Sequence, residues 1–180
     1  KTHPSVWCDL SAVAKGYGVD KVAEEFDRLG ITNYLIEVGG EVRTNGINPE
    51  GTIWRLAIER PIDEDHVSQM VVGLSGVALA TSGDYRIFRI ENGKRFSHVI
   101  DPGTGWPATH QLASASVIHP SCAWADAYAT AIMVMGPEKG YQFSLDHHLA
   151  VYLLIRKDSN HFIACQTPAF SDYMNLAGNG

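Results

Sequence analysis

Long apolar runs are absent from this 180-residue chain, so no stretch of the sequence reads as a bilayer-spanning helix. Basic clusters are absent too. Fourteen Lys and Arg stand against 20 Asp and Glu, a formal net charge of -6, which leaves no electrostatic footprint for nucleic acid or an anionic membrane surface. Any anionic ligand must then be met by locally placed donors or by a metal. Cysteine is scarce: Cys8, Cys122 and Cys165 form no CxxC and no metal-type spacing, and an odd number cannot pair fully within one chain. The three read as small buried or half-buried thiols. There is no internal repeat, no low-complexity linker and no signal peptide; because Lys1 is not a natural start, the last absence excludes little. What is present is ordinary for one globular domain with a substantial core, 45% hydrophobic and 19% charged residues.

Periodicity places the elements. Val19, Val22, Ala23, Phe26 and Leu29 recur at helical spacing, predicting a helix over 15–29 that Gly30 stops. NYLIEVGG (33–40) reads as a buried strand ending in a glycine pair, EVRTNG (41–46) continues as a strand, and Trp54, Leu56 and Ile58 alternate in another. Residues 69–83 give two short strands about a Ser-Gly turn, and 85–100 a hairpin turning at Asn92-Gly93. A strand follows over 111–120. Ser121 caps a helix that Gly136 ends, and Pro137 opens another through about residue 145. A second hairpin spans 149–165 with its turn at Ser159-Asn160, and a short helix closes the chain near 169–176. Hairpins with helices between them indicate an α+β domain with largely antiparallel sheet.

Several stretches carry candidate chemistry. Asp126 and Thr130 lie four apart on a mostly apolar helix and so share a face. A buried carboxylate is costly unless paired or metal-bound, and a carboxylate with a hydroxyl suits Mg²⁺ beside phosphates; the alternative is that Asp126 only favours its own helix dipole. In DLSAVAKGYG, Lys15 opposes the dipole at a helix start, which suggests an anion there or simply a solvated lysine; the Walker spacing is absent. ATSGD, residues 80–84, reads as a small-residue turn able to cradle a phosphate or merely to reverse the chain. Gly39 and Gly40 allow close approach of a ring or a ribose, or form a bulge. In FSHVIDPGTGWP, histidine's ordinary pKa near neutrality makes His98, beside Asp101, a candidate for a catalytic or a structural role. His119, His147 and His148 have no ligand-type neighbours and read as surface or helix-end residues.

Taken in order, DLSAVAKGYGVD, EVGGEVRTNG, WRLAIERP, ATSGDY, SHVIDPGTGWP and ADAYATAIMVMGPEKG resemble the ApbE-type family of FAD:protein FMN transferases, formerly described as thiamine-biosynthesis lipoproteins. The resemblance implies a T-fold-like α+β architecture. It also implies a Mg²⁺-dependent cleavage of FAD that transfers FMN to a Ser or Thr hydroxyl of a target flavoprotein and releases AMP. FAD hydrolysis to FMN and AMP, or flavin binding without turnover, are the alternatives. Carried over to this sequence, Asp126, Thr130 and the carbonyl of Ala12 would ligate Mg²⁺. Lys15, Thr81, Ser82 and Gly83 would face the pyrophosphate, and Glu37, Gly39 and Gly40 would touch the nucleotide. His98 and Asp101 would line the reacting centre, with His98 taking the proton. Ser11-Ala12 stands where a Gly-Gly pair is common, Glu37 where Asn is, Gly103 where a basic residue is, and Trp106 where Tyr is. The family carries a long segment ahead of DLSAVAKG, so the resemblance casts residues 1–180 as the C-terminal part of one domain, with poor or no FAD binding, loss of activity in the isolated piece and self-association expected. A periplasmic, lipid-anchored location is implied as well.

Overall fold

The computed structural model describes residues 2–61, 68–84, 88–91, 94–97, 99–158 and 161–178. His98 and the expected turns at Asn92-Gly93 and Ser159-Asn160 lie outside them. The chain runs as α1 (Ala14–Arg28), β1 (Tyr34–Val38), β2 (Glu41–Asn45), β3 (Trp54–Glu59), β4 (Ser68–Leu74), β5 (Ala78–Gly83), β6 (Phe88–Glu91), β7 (Lys94–Ser97), β8 (Ile100–Asp101) and β9 (Trp106–Pro107). It continues as β10 (Leu112–His119), α2 (Cys122–Met135), α3 (Pro137–Asp146), β11 (Ala150–Arg156), β12 (Phe162–Gln166) and α4 (Pro168–Gly178). Among the described residues no helix is long and apolar enough to cross a membrane.

A six-stranded antiparallel sheet, ordered β1-β2-β5-β10-β11-β12, organises the molecule. Its central strands β10 and β11 are buried on both faces, which is why LASASVIH and AVYLLIR carry few charges. Side chains alternate between two cores. Ala115, Val117, Val151 and Leu153 pack against Ala125, Ala129, Ile132 and Met133 of α2. Ile118, Tyr152 and Leu154 point the other way, onto the β3-β4 hairpin and Phe170 of α4. The rings of Tyr152 and Phe170 stack at 5.3 Å. A third cluster seats Val19 and Ala23 of α1 on Tyr34, Ile36, Ala78 and Cys122. The helices α1 and α2 thus cover one face of the sheet, and the hairpin with α4 covers the other.

The helix ends read from sequence have physical counterparts. Ser121 sits extended at the α2 N-cap and its hydroxyl accepts from Trp124 N at 3.4 Å. Gly136 ends α2 at φ 81°, where its backbone also runs against the ring of His110. Pro137 then opens α3. Three expectations are corrected here. Val22 and Leu29 fall on the solvent side of α1, because the buried stripe is narrower and runs through Gly16, Val19, Asp20 and Ala23. Cys8 is exposed rather than buried. Residues 81–83 are not a turn: they extend β5, paired with Ser114–Ser116 of β10, because the strand stays in register past its apolar part.

Candidate active site

The site begins where two helices start beside one another. The N-cap position of α1, Val13, has no side chain able to accept a hydrogen bond, so the first amides of α1 need a partner from elsewhere. Asp126 supplies it. From the second turn of α2 its Oδ2 accepts from Gly16 N at 3.0 Å. The reverse holds at the start of α2, where Asp20 of α1 accepts from Cys122 N at 2.9 Å and Ala123 N at 3.0 Å. The two helices therefore run in opposite senses and cap one another. Close approach is possible because residue 16 is glycine. A Cβ there would lie 2.7 Å from the carbonyl carbon of Cys122 and 2.9 Å from Ala123 Cα.

The tip of the β1-β2 hairpin closes on this helix pair. Gly39 and Gly40 both have positive φ, 59° and 94°, so the link is a tight two-residue turn and not a bulge. A Cβ on Gly39 would lie 3.1 Å from Cδ of Lys15, so the turn backbone rests on that lysine's stem. The turn delivers Glu41, which is 1% exposed, onto the helix side of the sheet. Glu41 forms an ion pair with the Lys15 ammonium through Oε1, and its Oε2 accepts from Thr81 N at 3.2 Å. That amide is available because β2 pairs with β5 only at Ala78 and Leu79.

Two buried acids and one lysine meet here. Burial raises the Asp126 carboxyl above its ordinary value, against the pull of the Gly16 amide and the Lys15 charge. Burial raises Glu41 as well. Lys15 opposes that shift, the nearby Asp126 charge adds to it, and the Thr81 amide counters it. With all three ionised the cluster carries one net negative charge. Asp20, by contrast, is compensated. Burial would raise it, yet the Ala123 amide, the Ser121 hydroxyl, the Cys122 amide and the Arg43 guanidinium together hold it below the usual range.

The residues expected from sequence fall into three groups. Lys15, Gly39, Gly40, Thr81 and Asp126 come together. Ala12, half-buried in the turn that leads into α1, and Thr130, half-buried one turn beyond Asp126, flank them. Lys15 is not a free cation awaiting an anion, however: Glu41 already holds it, which answers its unfavourable place near the start of a helix. Glu37 is exposed and stands opposite Val42, so strand alternation turns it to the other face of the sheet from Glu41. Ser82 and Gly83 continue β5 opposite Ala115 and Ser114, while the hydroxyl of Thr81 is 2.8 Å from that of Ser116. Asp101 fastens its own loop, Oδ1 accepting from Gly103 N at 2.8 Å and its carbonyl from Gly105 N at 2.8 Å. His119 serves the α2 cap, its Nδ1 accepting from Ser121 N at 3.0 Å. Sequence reasoning missed Glu41 and Asp20. The signal for Glu41 was the alternation EVR, which puts Glu41 and Arg43 on one face of a strand covered by helices. Asp20 sits one turn after Gly16 in the buried stripe of α1. A separate cleft lined by Asp84, His110, Met133 and Arg156 contains none of these acids.

The donor set fits a hard cation. The sole hydrogen bond to Asp126 among the described residues comes from Gly16, a hydroxyl stands one turn away, and the local charge is negative. The described residues hold no cluster of three His, Cys, Asp or Glu, so any remaining ligands must come from hydroxyls, carbonyls, water or a phosphate. A pH dependence follows. A carboxyl whose folded pKa is raised binds its proton more tightly in the native state, so its contribution to stability falls as pH climbs from about 4, the unfolded value, through the folded one. A cation needs the ionised form and gains over the same window. Added Mg²⁺ is therefore expected to raise the melting temperature, and by more near about pH 7.5 than near about pH 5. Thermal melts with and without Mg²⁺ at both values check this, and a shift equal at both would contradict it.

The chain as a whole is similar to known proteins. The sequence model of the ApbE family matches residues 1–153. The FAD:protein FMN transferase of Haemophilus influenzae is 46% identical over 171 residues, covering 94% of this chain and 49% of that protein. The FAD:protein FMN transferase of Escherichia coli K12 is 42% identical over 174 residues, covering 97% and 49%. Among solved structures, the flavin transferase ApbE from Vibrio cholerae superposes with a TM-score of 0.85 at 40% identity, covering 96% of this chain and 54% of that one. The ApbE protein from Thermotoga maritima gives 0.83 at 26% identity, covering 95% and 54%. The chain spans about half the length of the curated relatives it matches. It belongs to the ApbE family.

Proposed function

We propose that this ApbE-family chain carries the cation and pyrophosphate groups of an FAD:protein FMN transferase. The observation that supports the reading best is that two buried carboxylates, Glu41 and Asp126, lie near a single lysine, which is ion-paired with Glu41. A cluster of net negative charge repels phosphate. With one divalent cation added, the same cluster turns net positive and attracts it. In this reading Asp126, Thr130 and the carbonyl of Ala12 hold Mg²⁺, which supplies charge neutralisation on the phosphate oxygens.

The remaining work falls to the chain itself. An acceptor Ser or Thr oxygen bonds to the FMN phosphorus, the bond to the bridging oxygen breaks, and AMP leaves with that oxygen. Such a transfer needs positioning and charge stabilisation more than covalent help. Lys15, fixed at its stem by Gly39 and at its head by Glu41, presents its ammonium at a set place beside the phosphates. The acceptor proton must go to a base, and His98 is assigned that role on the family resemblance. Asp101 acts by shaping the loop that follows His98. The periplasmic, lipid-anchored location belongs to the same proposal.

Mass spectrometry of candidate acceptor flavoproteins tests the reaction class. After incubation with the encoded protein, FAD and Mg²⁺, an acceptor is expected to gain the mass of one FMN phosphoester at a Ser or Thr. FAD consumed with no acceptor modified would instead assign a pyrophosphatase.

A further inference from the structure

Asp20 is 7% exposed and its carboxylate receives four donors. Oδ1 accepts from Cys122 N at 2.9 Å and from the Arg43 guanidinium at 2.6 Å. Oδ2 accepts from the Ser121 hydroxyl at 2.7 Å and from Ala123 N at 3.0 Å. The formal N-cap of α2, Ser121, reaches only one amide, at a long 3.4 Å, so Asp20 is the principal partner of the first α2 amides. Three elements meet at this one side chain, and each carries a charged group of the site. Gly16 and Lys15 lie about one turn before Asp20 on α1. Asp126 lies one turn after Cys122 on α2. Glu41 lies on the same face of β2 as Arg43, two residues away. Among the described residues no other side chain on one of these elements hydrogen-bonds to both of the others.

We infer that Asp20 is a positioning residue for the cation site: by clamping the start of α2 and Arg43 of β2 onto α1, it fixes where Asp126, Lys15 and Glu41 converge. The inference rests on the cation reading of the preceding subsection. Asp20 touches neither cation nor substrate. It acts through the Cys122 and Ala123 amides, and a shift of α2 there displaces the Asp126 carboxylate relative to Gly16 one turn on. Outer groups that orient a ligand typically alter metal affinity about 10–100-fold when removed, and that is the range expected here.

The test is Mg²⁺ titration by calorimetry on the encoded protein and on Asp20→Asn, Asp20→Ala and Asp126→Ala, each well below its melting temperature. Asp20→Asn keeps the size and one acceptor oxygen, so it serves if Asp20→Ala does not fold. The expected result is a Mg²⁺ dissociation constant raised about 10-fold or more in Asp20→Asn. In activity assays the Mg²⁺ concentration for half-maximal rate should rise. A protein that is merely less stable would show a lower melting temperature with the dissociation constant unchanged within about twofold, and that result overturns the inference. Mg²⁺ binding retained in Asp126→Ala would instead refute the cation reading, whatever Asp20 does.

Discussion

Replacing Asp126 by alanine is expected to lower the rate of FMN transfer by about three orders of magnitude, about 4 kcal/mol of transition-state stabilisation at 1.36 kcal/mol per tenfold. The change removes a buried carboxylate one helical turn from the half-buried Thr130, and leaves Glu41 and Lys15 to neutralise each other. Folding should suffer little. The lost bond to Gly16 N costs about 1 kcal/mol, as for other helix-capping groups, and relief from burying a charge offsets part of it. Asp126→Asn separates the two roles: its amide oxygen can still accept from Gly16, but it carries no charge. It is expected to melt at or above the parent temperature and to be as inactive as the alanine variant. Initial rates with FAD and an acceptor, set beside thermal melts, are the measurement. Activity within about tenfold of the parent in both variants would remove Asp126 from the reaction.

Gly16→Ala is expected to be strongly destabilising, and Gly18→Ala, two residues beyond it, to be harmless or stabilising. At Gly16 the new Cβ would meet Cys122 and Ala123 backbone atoms, with 2.7 Å to the Cys122 carbonyl carbon, and backbone cannot swing aside as a side chain can. The helices must separate, which stretches both reciprocal caps. Overpacking of this kind costs about 3 kcal/mol, or about 6–12 °C in melting temperature for a domain of this size. A Cβ on Gly18 meets no atom within 4 Å. There the better helix propensity of alanine is worth up to about 1 kcal/mol. Thermal melts of the two variants should therefore move in opposite directions. Equal shifts would mean that the contact between α1 and α2 does not control stability.

The elements were legible wherever local chemistry was strong. Ser121, Gly136 and Pro137 marked the bounds of α2 and α3 because caps and breakers act within a few residues. β10 and β11 could be placed as strands from their apolar runs, but not their burial on both faces. Asp126 and Thr130 could be paired on one face because helix geometry is fixed by spacing. Residues 81–83 were misread because small polar residues favour turns in isolation, whereas here β10 holds them in register. Lys15 looked unpaired because its partner, Glu41, is 26 residues away in sequence.

Residue order alone fixed the helix and strand segments, the stops between them and the motif succession that marks the ApbE family, since each depends on near neighbours along the chain. Only the tertiary structure decided which charges meet. Asp126 could have served its own helix dipole, and it caps α1 instead; Asp20 could have been one more exposed acid, and it caps α2. Both outcomes arise from a helix crossing that a glycine without a Cβ permits, and such a contact between segments about a hundred residues apart leaves no periodic trace in sequence.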